Sequence, residues 1–135
     1  MFYDFSLTIP ANTLESAPLE RDLQLAPGII FRVSLLFPPG PHGMVKVKLR
    51  RGLHQVWPTD PEGYFASDDE VVDFEEHYPL DDMPYLLTFV GYSPGTTYDH
   101  TIAVRVGILA TETVSPFQGL GAGLRRLLQF VGIGS

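Results

Sequence analysis

Residues 85–109 read YLLTFVGYSPGTTYDHTIAVRVGIL. The segment divides at Ser93-Pro94-Gly95-Thr96. Proline sets the φ of a turn position, and glycine tolerates the positive φ that often follows it. Beyond the break, Ile102, Val104, Val106 and Ile108 alternate with Thr101, Ala103, Arg105 and Gly107. Period two is the mark of a strand with one buried face. Before the break, Leu86, Leu87, Phe89, Val90 and Tyr92 leave little polar surface, as in a strand covered on both faces. The two halves are expected to pair as a long antiparallel hairpin at the centre of a β-structure.

The chain on either side supports an all-β reading. Among 135 residues are 13 glycines and 12 prolines, which disfavour long helices. Apolar residues make up 44%, enough for one packed domain. Tyr3, Phe5, Leu7 and Ile9 alternate with Asp4, Ser6 and Thr8. A short strand is expected around Leu23 and Leu25, and an interior strand over Ile29–Phe37. Pro38-Pro39-Gly40-Pro41-His42-Gly43 must be a loop, since prolines lack the donors a ladder needs. Val45, Val47 and Leu49 then alternate with Lys46, Lys48 and Arg50. Arg51-Gly52 turns the chain into a returning segment, Leu53–Trp57. Tyr64-Phe65 and Glu70–Phe74 are weaker strand candidates, and Tyr78–Pro84 reads as a loop. About eight strands at intervals near 8–12 residues point to an antiparallel, jelly-roll-like β-sandwich.

The periodicity changes after Leu109. Ser115-Pro116-Phe117-Gln118 has the form of a helix start, with Ser as N-cap and Pro in the first turn. Phe117, Leu120, Leu124, Leu127, Leu128 and Val131 fall on one helical stripe, with Gln118, Arg125, Arg126 and Gln129 off it. Gly119, Gly121 and Gly123 each cost such a helix about 1 kcal/mol relative to alanine, so it needs a surface to rest on. The expected organisation is a β-sandwich domain over residues 1–112 and an amphipathic helical tail over 113–135. The tail stripe is the first candidate partner-binding surface. Its supports are the protein's own domain, a neighbouring subunit or a membrane surface. The last five residues resemble the Gly-Ile-Gly-Ser core of encapsulin cargo-loading peptides.

Charge narrows the function classes. The net charge of −7 argues against nucleic-acid binding. Lys46, Lys48, Arg50 and Arg51 form a basic cluster, while ten carboxylates lie between Asp60 and Asp82 with no Lys or Arg among them. Lys46, Lys48 and Arg50 are the second candidate partner-binding face, matched to an acidic patch on another copy. No cysteine is present, which removes disulfides and thiol chemistry. The first residues lack the basic and apolar regions of a signal peptide, and no apolar run reaches the ~20 residues of a spanning helix.

No catalytic pattern emerges. Asp99 and His100 are adjacent, so on a strand their side chains point to opposite faces, and no nucleophile motif accompanies them. Asp99 is expected to close the turn and His100 to pack or pair across a strand. The acidic run from Asp68 to Glu76 lacks a calcium-loop spacing. His42, His54, His77 and His100 lack zinc-ligand spacing. Neither a catalytic residue, a metal nor a cofactor is therefore expected. Trp57, Tyr64 and Tyr92 would suit a sugar-binding platform, which makes a carbohydrate-binding module the alternative. A small metal-dependent jelly-roll enzyme is the remaining one.

As an architecture, many short strands with a detached amphipathic tail resemble the β-sandwich decoration, neck and tail-associated proteins of tailed bacteriophage virions. That resemblance implies a non-enzymatic structural protein of a virion or similar particle, assembled in the cytoplasm. Its partners would be itself, as a homo-oligomer, or another particle protein.

Overall fold

The computed structural model describes residues 1–110 as eight β-strands, with no α-helix among the described residues. They are β1 (Phe2–Ile9), β2 (Leu19–Gln24), β3 (Gly28–Phe37), β4 (Lys46–Arg51), β5 (His54–Trp57), β6 (Glu70–Leu80), β7 (Leu86–Tyr92) and β8 (His100–Ala110). They form two four-stranded antiparallel sheets, ordered β1-β8-β3-β6 and β2-β7-β4-β5. The protein is a β-sandwich. The proposed helix and the stripe Phe117, Leu120, Leu124, Leu127, Leu128 and Val131 lie outside the described residues, and the last strand ends at Ala110.

The ladder pairs first with last. β1 pairs with β8, β2 with β7, β3 with β6 and β4 with β5. The chain is thus one long antiparallel ribbon closed by the Arg51-Gly52 turn, with Gly52 at a φ of 61°. The ribbon folds over on itself, and the added pairs β3–β8 and β4–β7 complete the sheets. Apolar side chains of one phase fill the space between them: Leu7 and Ile9 from β1, Val47 and Leu49 from β4, Leu87 and Phe89 from β7, and Ile102 to Ile108 from β8.

This topology overturns the central hairpin. The turn at Ser93–Thr96 forms, with the Thr96 amide donating to the Ser93 carbonyl at 3.2 Å. Its arms, β7 and β8, nevertheless lie in opposite sheets. The turn carries the chain across the sandwich beside the β1–β2 connection, which crosses the same way, and hydrogen bonds join the two. The Asn12 N–H donates to Thr96 Oγ1 at 2.9 Å, and the Gly95 N–H donates to Asn12 Oδ1 at 2.8 Å. The Ser93 N–H donates to the Thr13 carbonyl at 2.8 Å, and the Ser93 hydroxyl to that of Pro10 at 3.1 Å. These bonds satisfy the buried Ser93 and Thr96 hydroxyls.

β6 is also longer than expected. It continues through Tyr78 to Leu80, where a loop was anticipated, because a bulge between Glu75 and Tyr78 breaks its alternation. The same irregularity places Phe31 as the extra residue of β3 opposite β8. Ile30 and Val33 consequently both face the core, three residues apart.

Candidate functional site

The basic strand falls as expected but is not a free cationic surface. Val45, Val47 and Leu49 are buried, and Lys46, Lys48 and Arg50 point outward from β4. The Arg50 guanidinium makes two bonds to the Glu20 carboxylate, at 3.0 and 3.2 Å. The arginine holds Glu20 below the usual carboxylate range. Lys48 Nζ sits 5.9 Å from the centre of the Tyr92 ring, and Lys46 Nζ 5.3 Å from that of Tyr64. These long side chains lie over the outer face of β7, which explains why Thr88, Val90 and Tyr92 are buried although they face away from the core.

The aromatic residues named for the alternative sugar platform do not share one exposed face. Trp57 is only 4% exposed and packs against Phe74 at 5.8 Å and Tyr78 at 5.4 Å between ring centres. Phe65 stacks on Phe74 in turn. These rings close the gap between β5 and β6, the two edge strands that the chain visits in succession. Tyr92 is also buried, and only Tyr64 presents its ring to solvent.

Asp99 and His100 likewise serve the fold. Asp99 Oδ1 accepts from the Ala11 N–H at 2.8 Å, another tie between the crossing connections. His100 pairs with Ile9 on β1, and its Nδ1 is buried with no hydrogen-bond partner. It borders a pocket of about 550 Å³ between the Pro39–Met44 loop and residues 95–100. Asp68 Oδ1 accepts from the Gly40 and His42 amides at 2.8 and 3.0 Å, bonds that lower its pKa and fix the loop. Among the described residues, no three His, Asp or Glu side chains converge as a metal site.

The surface with the most distinctive chemistry is the outer face of the β1-β8-β3-β6 sheet, where a groove of about 560 Å³ runs. Its centre is one rung across four strands: Asp4, Arg105, Ser34 and Asp73 stand in register. Arg105 Nε donates to Asp4 Oδ1 at 2.7 Å. Arg32 grips Asp73 with Nε at 3.1 Å and Nη2 at 2.6 Å, and the Ser34 hydroxyl adds a third bond at 2.7 Å. The Arg32 bonds, then that of Ser34, hold Asp73 at about 2. Apolar side chains flank this rung. Leu36 and Val71 are 47% and 52% exposed on one side. On the other, the Phe2 and Phe31 rings meet edge to face over Gly107, where a Cβ would come within 2.8 Å of Phe2 and 2.9 Å of Phe31.

No family model matches the chain, and no curated protein matches it. Among solved structures, it is similar to one described as "Crystal Structure of FLHE". The identity is 16% and the TM-score 0.40, over 78% of this chain and 94% of that one.

The Ser34 hydroxyl in the groove is spent on Asp73, which Arg32 also holds, and the charges neutralise one another across strands. What it offers is exposed apolar surface with paired charges between, a combination suited to a protein contact. Sequence reading missed it because its residues come from four strands and meet only through register. Two signals were present: Arg32 and Leu36 within an apolar strand, and the small residues Ala103 and Gly107 on the outer phase of β8. Small residues in a strand interior mark a close approach.

Proposed function

We propose that the protein is a non-enzymatic assembly protein, a subunit of a virion or comparable particle. It oligomerises and docks through its C-terminal helix. The strand order β1-β8-β3-β6 facing β2-β7-β4-β5 supports reading the sandwich as a jelly roll, two nested antiparallel keys that leave their outer faces for contacts. The carrying observation is the groove over β1, β8, β3 and β6. Exposed Phe2, Leu36 and Val71 surround arginines already neutralised by Asp4 and Asp73. This is a surface for burying against another element, with no convergent free groups for chemistry. Lys46 and Lys48, outward on the opposite sheet, provide a second contact for the acidic edge of a neighbouring copy around Glu75 and Glu76.

Sedimentation velocity of the full chain, of Lys46→Glu/Lys48→Glu and of a chain ending at Thr113 tests this function. The full chain is expected to sediment as an oligomer, and both variants as smaller species. Identical single-chain sedimentation of all three across concentration would overturn it.

A further inference from the structure

We propose that β1 is a pairing edge: a second copy of this chain adds its own β1 antiparallel to it, and a two-fold axis joins the two β1-β8-β3-β6 sheets into one. This names the contact between copies in the assembly reading above and rests on that reading. The backbone sets the direction. Met1 and Ile108 exchange both ladder bonds, the Ile108 N–H donating to the Met1 carbonyl and the Met1 nitrogen to that of Ile108, each at 2.8 Å. Opposed residues of an antiparallel pair alternate between bonded and non-bonded, so Tyr3, Phe5, Leu7 and Ile9 bond to β8. Phe2, Asp4, Ser6 and Thr8 turn their backbone N–H and carbonyl groups away from it. Among the described residues, none of those groups meets a partner in the chain.

The other three sheet edges are blunted. β2 carries Glu20, Arg21 and Asp22 in succession. β5 is four residues long and runs into Pro58. β6 is bulged and contains Pro79 beside its glutamates. Charge, shortness, proline and bulges are the usual means of keeping an edge from pairing. β1 runs eight residues in unbroken register with β8, without lysine, arginine or proline. Its one carboxylate, Asp4, is already held by Arg105 at 2.7 Å.

The sequence of β1 selects its own copy as the occupant. An axis through Phe5 sets Asp4 opposite Ser6 of the partner subunit and Phe2 opposite Thr8 of the partner subunit. The outward backbone groups of both copies then meet in about eight hydrogen bonds. Asp4 gives only Oδ1 to Arg105, and the hydroxyl of Ser6 of the partner subunit donates to Oδ2. On the inner face Phe5 meets Phe5 of the partner subunit, and Tyr3 meets Leu7 of the partner subunit. The Tyr3 and Phe5 rings stack at 6.5 Å and are half-buried against the core, and the pairing covers them. The neighbouring registers are worse. An axis through Asp4 opposes two aspartates, and one through Ser6 puts Pro10, which has no N–H, opposite Phe2. Because each copy spends the same edge, the pairing closes at two copies. It also brings the two outer grooves onto one continuous face, since Asp4 and Ser6 line each.

The cysteine-free chain lets disulfides read the register. In the full chain, Phe5→Cys sets two thiols across the axis, where a non-bonded antiparallel pair brings Cα atoms to about 4.5 Å, within disulfide reach. Under mild oxidation it is expected to form covalent dimers about tenfold faster than Tyr3→Cys or Leu53→Cys. In the pairing, two Tyr3 positions lie about 14 Å apart along the strands. Leu53 is fully exposed at the turn of the opposite sheet and reports chance collision. A mixture of Tyr3→Cys and Leu7→Cys should cross-link as the Phe5→Cys protein does. A second variant leaves every core ring in place. Ser6→Pro removes an N–H that points away from β8, so the ladder within the chain survives and the edge does not. It should sediment as a smaller species than the unaltered protein while still unfolding cooperatively. Equal cross-linking of Phe5→Cys and its two controls would overturn the inference, and so would an unchanged mass for Ser6→Pro. An unaltered protein that is an oligomer under either of those results would sink the edge pairing and leave the assembly reading standing. An unaltered protein of single-chain mass would remove both.

Discussion

Replacing Thr96 by Val probes the stitch between the two crossing connections. The Thr96 hydroxyl accepts from the Asn12 N–H at 2.9 Å and donates to the Ser93 carbonyl at 2.8 Å, in a residue only 8% exposed. Valine keeps the shape and removes both bonds. The Ser93 carbonyl retains the Thr96 amide, but the Asn12 N–H is left without an acceptor. Asn12 is exposed, so water can reach its N–H, and the expected loss is the net worth of the bonds removed, about 1 kcal/mol. For a domain of this size that corresponds to a fall in Tm of about 4 °C. Asn12→Gly is the companion. It keeps the positive φ of 53° and deletes only the amide that receives the Gly95 N–H, at about 1 kcal/mol. Both changes loosen the same pair of turns, so the double variant should depart from additivity by at least ~0.5 kcal/mol. Urea unfolding followed by Trp57 fluorescence measures all four proteins. A Thr96→Val protein within 0.3 kcal/mol of the parent, or strict additivity in the double variant, would refute the stitching of residues 10–13 to residues 93–99.

Three other perturbations have definite outcomes. Trp57→Ala removes the ring held between Phe74 and Tyr78. It should cost about 3–5 kcal/mol in chemical denaturation, whereas a surface platform residue would cost almost nothing. Asp73 is held at about 2 by Arg32 and Ser34, below the ~3.9 of a free aspartate. Because the folded value is the depressed one, its contribution is present above pH ~4 and is lost as pH falls through about 2. Acid titration of stability should therefore show a decline between those values that flattens in Asp73→Asn, and an unchanged profile would remove the role given to the Arg32 pair. Gly107→Val places a branched side chain against the Phe2 and Phe31 rings. A loss of about 1–3 kcal/mol in thermal unfolding is expected, and a neutral result would deny the close packing over β8.

Alternation made β1, β4 and β8 readable, because each has one phase in the core and one in solvent. It could not reveal partners. Pro94 and Gly95 specify a turn, yet a turn specifies pairing only when its arms stay in one sheet. β8 finds its neighbours in β1, near the other end of the described chain, and in β3. In β3 the Phe31 bulge shifts the phase, so Leu36 looks buried in the sequence and is exposed in the fold. β7 was legible as covered on both faces, but its outer cover is Lys48 and Arg50, residues that taken alone read as a free basic patch. Trp57 stayed open between two readings for a related reason. An aromatic residue at a strand end suits a binding platform and an edge closure equally, and only the position of β6 beside β5 decides. The groove was least legible, since Asp4, Arg32 and Asp73 are separated by most of the domain and meet only through strand order.

The molar mass of the unaltered chain in solution, by light scattering across a range of protein concentration, tests the assembly reading most directly. A mass at an integer multiple of 15.0 kDa that persists on dilution to micromolar levels is expected. A mass of 15.0 kDa at every concentration would contradict the proposal that this protein oligomerises.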